Sequence, residues 1–351
     1  ICYVSSRQNF YLLEPLALKW QIEESIMQRL YLETWEAFIR WHAVGSSGEP
    51  VIYLPGLSMS SVSSFLPVAA HTLMGGKTGI MLDYIGSGVS DHSDSFSFSL
   101  KTHAETVTFV LQELGYTSCH FVGHSFGGSV AIQLALTRPD LVKSLFIAEG
   151  NLLPGGGPGS RSIAANSKAE FVNKVFPKML NRIREDALIK KSGSDVLASS
   201  WSIADVGGIY ENAISLVNLP KRFEKDFLTL DIPRCFMFSE ENFPAEGTAG
   251  TADIPNVERL KSFGVLVEIL PKSGHEMMIS NPEDFTKILS DFSSQCLALR
   301  GSWGPPQPTI ILPSNSSPLA KRMMLPWIST TFDFVRNLAP ASFAKLTRAW
   351  S

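Results

Sequence analysis

The chain has 351 residues, of which 44% are hydrophobic and 18% are charged, and its formal net charge is −3. This length and composition are typical of a globular protein that buries a sizeable core in one large domain or two. The near-neutral balance gives no electrostatic reason to expect a nucleic acid or an anionic membrane as a partner.

The cysteines and the hydropathy pattern also limit the class of protein. Four cysteines are widely spaced without a Cys-x-x-Cys pair, so neither a zinc site nor a disulfide framework is indicated. No run of about eighteen apolar residues occurs, and we therefore expect no transmembrane segment. The first residues lack the pattern of a signal peptide, and Ile1 stands where an initiator Met would, so we expect a cytoplasmic protein whose natural N-terminus is missing here.

The first predicted element is a helix. Residues 9–31 carry apolar positions at mixed three- and four-residue steps, which predicts an amphipathic helix. We therefore assign residues 1–33 to an N-terminal helical extension outside the core.

From residue 34 onward, short apolar runs alternate with helical patterns. The predicted strands are residues 35–44, 50–54, 78–83, 119–122, 141–148, 234–239 and 265–270. The predicted helices between them are residues 62–74, 98–115, 128–136, 254–263 and 282–297. Such alternation predicts an α/β fold with a mostly parallel sheet flanked by helices, in which ligands lie at the carboxyl ends of the strands.

One long segment interrupts this rhythm. Residues 151–230 begin with a glycine- and proline-rich entry that we expect to be flexible, and then show helical patterns at 167–191, 194–202 and 209–219. A helical insertion after a strand end that faces the site predicts a cap over the pocket. The core is then residues 34–150 and 231–299, and residues 300–351, rich in Pro and Ser at their start, form a C-terminal tail.

The sequence Gly123-His124-Ser125-Phe126-Gly127 lies between a predicted strand and a predicted helix. A serine at such a corner is held in a strained turn that exposes its hydroxyl. Side chains at Gly123 and Gly127 are expected to collide in the turn. The N–H of Phe126 begins the helix and would face a negative charge that forms beside Ser125, while His124 is expected to pack beneath the turn.

Five blocks of sequence together resemble the α/β-hydrolase family. They are Leu54-Pro55-Gly56-Leu57-Ser58, residues 83–91, the Ser125 turn, Ala148-Glu149-Gly150-Asn151 and Ser273-Gly274-His275-Glu276. The resemblance implies a serine nucleophile, Ser125, and a general base, His275, since the family keeps its histidine after the last strand. It also implies a small-molecule substrate and no metal or organic cofactor.

The triad acid departs from the usual pattern of the family. The usual position falls on Asn242, and a neutral amide cannot stabilise an imidazolium as a carboxylate does. A minority of the family carries the acid one strand earlier, where this chain has Glu149. We take Glu149 as the acid, with Glu241 as the alternative and Glu240 as a further one.

The oxyanion hole requires two N–H donors. The resemblance assigns one to Phe126 and the other to the loop after residues 50–54, at Leu57 or Ser58. The family commonly has His-Gly in this loop, whereas this chain has Pro55-Gly56.

These residues predict a carboxylic ester hydrolase. We expect cleavage of an ester, thioester or lactone of a small, largely apolar substrate through an acyl-enzyme. Acyl transfer and hydrolysis of a carbon–carbon bond use the same triad and remain alternatives. A non-catalytic ligand-binding protein with a hydrolase fold is a third.

Overall fold

A computed structural model describes residues 27–45, 48–191, 193–245, 250–251 and 253–298. Most of the predicted helix at 9–31 and the whole tail at 300–351 lie outside the described residues. No helix in these ranges is both long enough and apolar enough to cross a membrane.

Eight strands of the described chain form one sheet in the order β1-β2-β4-β3-β5-β6-β7-β8. The strands are β1 Gln28–Leu32, β2 Ala37–Val44, β3 Glu49–Leu54, β4 Lys77–Asp83, β5 Cys119–His124, β6 Val142–Ala148, β7 Arg234–Ser239 and β8 Leu266–Leu270. The β1–β2 and β2–β4 pairs are antiparallel and the other pairs are parallel. The predicted α/β fold with a mostly parallel sheet is confirmed.

The predicted N-terminal helix is wrong over the part of it that the structure describes. Gln28–Leu32 is an edge strand, with Leu30 opposite Ile39 and Leu32 opposite Ala37. Leu32 is buried and Leu30 is partly buried against the core, so alternate residues face inward as in a strand. Pairing with β2 overrides the helical spacing, and the core therefore begins before residue 34.

Helices cover the sheet before β6 and after β7. They are α1 Ser61–Ala69, α2 Leu100–Glu113, α3 Phe126–Thr137, α10 Val257–Ser262, α11 Met277–Ser280 and α12 Pro282–Ala298. In β3, Ile52 and Leu54 belong to one buried cluster, and Val51 and Tyr53 belong to another. Because successive side chains point to opposite faces, the continuous apolar runs in the sequence reflect a sheet that is buried on both sides.

The remaining helices lie between β6 and β7, within the predicted insertion at 151–230. They are α4 Pro158–Ala164, α5 Lys168–Glu170, α6 Phe176–Leu188, α7 Ser194–Ile203, α8 Val206–Val217 and α9 Phe223–Leu228, with a π-helical turn at Phe171–Val175. A buried cluster that includes Ile163, Phe171 and Trp201 joins α4, the π-helical turn, α6, α7 and α8, whereas the buried residues of α9 belong to the main core. The sequence did not predict α4, which begins with Pro158, a residue suited to the first helical position.

The turn at Ser125 is strained as the sequence predicts. Ser125 has φ 51° and ψ −118°, a backbone conformation that residues other than glycine rarely adopt. A Cβ on Gly123 would lie 2.6 Å from the carbonyl oxygen of Gly127, and one on Gly127 would lie 2.2 Å from that of Leu54. Only glycine at these two positions lets the turn close against itself and against β3.

We predict that Gly127→Ala lowers the free energy of unfolding by about 1–3 kcal/mol, because its Cβ would push backbone atoms apart. Gly159→Ala is the matched control, since an added Cβ there meets nothing within 4 Å. Urea unfolding of both variants and the wild type measures the difference. Equal stability of the two variants would show that the turn has room for a side chain.

Candidate active site

A cavity of about 410 Å³ lies where several parallel strands end, and Ser125, Glu149 and His275 all line it. Ser125 follows β5, Glu149 follows β6 and His275 lies in the loop after β8. The volume is within the range of small-molecule sites. The structure thus brings together three residues that are 24 to 150 positions apart in the sequence.

The carboxylate of Glu149 is held by four hydrogen bonds. Its Oε2 is 2.6 Å from Nδ1 of His275 and accepts from Nδ2 of Asn242 at 2.9 Å. Its Oε1 accepts from the backbone N–H of Ser239 at 2.7 Å and from the Ser239 hydroxyl at 2.6 Å. Glu149 is buried and adopts φ 49°, so a strained backbone directs this side chain along the end of β7.

These contacts decide the charge of Glu149. Burial alone would raise its pKa, but the hydrogen bond and charge of His275, together with the two Ser239 donors, lower the pKa from 4.5 to about 2. Glu149 is therefore ionised at neutral pH. An anion at this depth is stable because donors surround both of its oxygens.

His275 is oriented by the same bond. Burial lowers the pKa of its imidazole, but the hydrogen bond to Glu149 and the charges of Glu276 and Glu149 raise the pKa above 6.5 overall. About 45% of its side chain is exposed. Because Nδ1 donates to Glu149, the neutral ring has its lone pair on Nε2, as a general base requires.

The hydroxyl of Ser125 has no hydrogen-bond partner among the described residues, so the Ser125–His275 contact of a triad is not formed in this conformation. Such contacts commonly shorten only when substrate binds. What the structure provides is a serine and an imidazole on the wall of one cavity.

Neither alternative acid contacts His275. Glu241 is exposed, and its backbone N–H donates to the carbonyl of Ser273 at 3.2 Å. Glu240 is also exposed and accepts from the N–H of Lys272 at 2.7 Å. Both residues therefore fasten the loop that carries the histidine.

Asn242 occupies the position at which the family usually has its acid, and its amide donates a hydrogen bond to Glu149. Sequence reasoning missed this role, and it also missed the two bonds from Ser239. The signal that could have predicted these bonds is the presence of two polar residues, Ser239 and Asn242, at the end of the apolar run that forms β7.

The two predicted oxyanion donors differ in their surroundings. Leu57 lines the cavity, whereas the ring of Phe126 is buried against Tyr84 and His103. Phe126 is the first residue of α3, so its N–H has no partner within the helix. Neither the Phe126 nor the Leu57 N–H donates to another group of the described chain, and both remain available to an anion.

Helices of the insertion hold the Leu57 loop from the far side. Nε1 of Trp201 in α7 donates to the Leu57 carbonyl at 2.9 Å, and Nδ2 of Asn212 in α8 donates to the Ser58 hydroxyl at 3.2 Å. Asn212 is fully buried and also bonds Nε2 of His103 at 2.8 Å. Ser58 has φ 53°, so these bonds support a strained loop. No pattern in the sequence predicts this network.

His124 packs beneath the turn and also holds the histidine loop. Its Nε2 donates to the His275 carbonyl at 2.9 Å, and its Nδ1 lies 3.9 Å from Oε2 of Glu276. Ring nitrogens of His124 and His275 and a carboxylate oxygen of Glu276 lie within 4.8 Å of one another, close enough to hold a metal ion. Because Nδ1 of His275 is bonded to Glu149, a metal would have to bind Nε2, whose lone pair the proposed base needs, and the metal-free site stays a prediction.

Comparison with known proteins gives a consistent family. A family profile described as alpha/beta hydrolase fold matches residues 49–197. The sn-1-specific diacylglycerol lipase ABHD11 of Xenopus tropicalis is 32% identical over 260 residues, which are 70% of this chain and 78% of that protein. The putative carbamate hydrolase RutD of Stutzerimonas stutzeri is 36% identical over 237 residues, 62% of this chain and 82% of that protein.

Among solved structures, an esterase from Exiguobacterium antarcticum is similar in fold. The TM-score is 0.61 at 21% sequence identity, and the match covers 76% of this chain and 99% of the esterase.

We predict that the stabilising contribution of Glu149 depends on pH. Its pKa is depressed in the folded protein, so the contribution is complete above about pH 4.5 and is lost as the pH falls towards 2. The difference in unfolding free energy between wild type and Glu149→Gln should therefore shrink by roughly 1–3 kcal/mol across this window. Unfolding at a series of pH values measures it, with Glu241→Gln as the control. A difference that does not change with pH would contradict the assignment.

Proposed function

Since this chain belongs to the α/β-hydrolase fold family, we propose that it is a serine hydrolase that cleaves an ester, thioester or lactone through an acyl-enzyme. The observation that carries the proposal is the 2.6 Å bond between His275 and a buried Glu149, on the wall of the cavity that also holds the strained Ser125. The relatives named as a lipase, a carbamate hydrolase and an esterase support a hydrolytic reaction.

In the proposed reaction, Oγ of Ser125 bonds to the substrate carbonyl carbon while Nε2 of His275 removes its proton. The imidazolium that forms is stabilised by ionised Glu149. The carbon–oxygen or carbon–sulfur bond of the leaving group then breaks, and the leaving group takes the proton from His275. A water molecule, deprotonated by the same imidazole, releases the acid and regenerates Ser125.

The negative charge that develops on the carbonyl oxygen needs donors that are already in place. We assign them to the N–H groups of Phe126 and Leu57, one at the beginning of α3 and the other in the loop after β3. Each such donor contributes about 3–4 kcal/mol to transition-state stabilisation in comparable enzymes. Asn212 is a positioning residue in this account, since it holds the loop from a buried site outside the cavity, whereas Trp201 holds the loop and also lines the cavity.

We also propose a largely apolar substrate and a cap formed by residues 151–230. Leu197, Trp201 and Leu216 from α7 and α8 line the cavity opposite Ser125, together with Met59 and Phe238 of the core. Apolar walls favour an acyl chain or a ring over a charged group.

A fluorophosphonate probe tests the nucleophile, because it reacts only with an activated serine. We expect the wild type to be labelled and Ser125→Ala to be unlabelled, with mass spectrometry locating the adduct on Ser125. Absence of labelling in the folded wild type would favour a ligand-binding protein over a hydrolase.

Hydrolysis of p-nitrophenyl acetate tests the acid. Replacement of the triad aspartate by its amide costs roughly 10⁴ in turnover in serine proteases. We expect Glu149→Gln to lose a comparable factor in kcat and Glu241→Gln, the matched control, to stay near the wild-type rate. The opposite order of effects would transfer the role to Glu241.

The pH dependence of kcat/KM tests the base. His275 must be neutral to accept a proton, and its pKa is raised, so the acid limb of the profile should lie above pH 6.5. Glu149→Gln removes the main group that raises this pKa and should move the limb to lower pH. An unmoved limb in that variant would mean that another group controls the histidine.

A further inference from the structure

Helices α6 and α7 form a hairpin that exposes two adjacent aliphatic side chains at the end of α6. Leu188 at the end of α6 and the adjacent Ile189 are 84% and 77% exposed, more than any other large hydrophobic residue of the described chain. Contact between exposed aliphatic side chains and water is unfavourable, so covering this pair would lower the free energy.

The same hairpin is basic. Residues 174–191 carry six basic side chains, all exposed, against two acidic ones, a net charge of +4 in a chain whose total is −3. The basic residues are Lys174, Lys178, Arg182, Arg184, Lys190 and Lys191. This charge is spread over the π-helical turn before α6, α6 itself and the connection after it, and the overall balance of the sequence conceals it.

The hairpin also adjoins the candidate active site. Gly193 lies against Glu276, because a Cβ on Gly193 would come within 2.7 Å of the Cβ of Glu276. Glu276 follows His275 and lines the cavity, as do Leu197 and Trp201 of α7. The C-terminal end of the connection after the exposed aliphatic pair therefore lies against the residue that follows the histidine.

We propose that this hairpin docks on the surface of an anionic lipid bilayer. Leu188 and Ile189 would enter the boundary between headgroups and acyl chains, while Lys190, Lys191 and the basic residues of α6 contact the headgroups. Basic side chains near such a surface are attracted to the anionic headgroups, and the aliphatic pair adds the apolar burial that charge alone lacks.

Other occupants fit the hairpin less well. A symmetric contact with a second copy would place +4 against +4, which is repulsive. A nucleic acid would use the basic residues but would leave Leu188 and Ile189 exposed. Docking itself does not depend on the proposed function. The consequence of docking rests on that function: the enzyme would take an ester with an apolar chain out of the bilayer as its substrate.

Flotation of the full chain with vesicles tests the proposal. We expect the wild type to bind vesicles of phosphatidylcholine with phosphatidylserine and not vesicles of phosphatidylcholine alone, and to dissociate at high salt. Leu188→Ser/Ile189→Ser and Lys190→Glu/Lys191→Glu should each lower partitioning by at least about tenfold. Leu73→Ser and Lys101→Glu/Lys221→Glu, which change exposed residues elsewhere, should leave it unchanged.

Three results would overturn the proposal. The first is that the wild type does not bind anionic vesicles. The second is that the two hairpin variants, shown to be folded by circular dichroism, bind as well as the wild type. The third is that sedimentation velocity gives a dimer which Leu188→Ser/Ile189→Ser converts to a monomer. Ser125→Ala should lose probe labelling and keep vesicle binding, so failure of docking is distinguishable from failure of the catalytic proposal.

Discussion

The hydrogen bond between Glu149 and His275 is the interaction on which the site depends. It fixes the tautomer of the imidazole, raises the pKa of the histidine and lowers that of the glutamate. A buried carboxylate is costly without partners, and here Ser239 and Asn242 supply donors from the end of β7. In the usual family pattern, the acid itself comes from this strand end. In this chain the proposed acid, Glu149, lies at the end of β6, and the end of β7 supplies donors to it.

The rest of the fold places this pair beside the nucleophile. Parallel strands end at one edge of the sheet, so β5, β6 and β8 deliver Ser125, Glu149 and His275 to the same cavity. Three residues at that edge, Ser58, Ser125 and Glu149, have positive φ, so the loops that carry them hold backbone strain. Side chains of α7 and α8 bond the Leu57 loop, which couples the packing of the insertion to the proposed oxyanion hole. A substrate that displaces these helices would also disturb the loop.

The parts of this arrangement that could be predicted are those with local signals. Continuous apolar runs identified the parallel strands. The glycines around Ser125 identified the turn, because a side chain at either glycine would collide with backbone atoms. Glu149 was a preferred candidate because an ionised residue at the end of an apolar strand needs a partner. What could not be predicted depends on contacts between distant segments. The strand at Gln28–Leu32 forms because it pairs with β2. The hydrogen bonds of Asn212 and Asn242 join residues that are far apart in the sequence, and no local pattern predicts such bonds. The net charge of −3 likewise says nothing about how charge is distributed, since residues 174–191 alone sum to +4.

The central claim is that the proton on Nδ1 of His275 is shared with Glu149. Proton NMR in water measures this directly, because a histidine N–H in a short bond to a carboxylate resonates far downfield of other exchangeable protons. The account predicts such a resonance in the wild type and in Glu241→Gln, and its loss or strong upfield shift in Glu149→Gln. A downfield resonance that persists unchanged in folded Glu149→Gln, or one that disappears in Glu241→Gln, would contradict it.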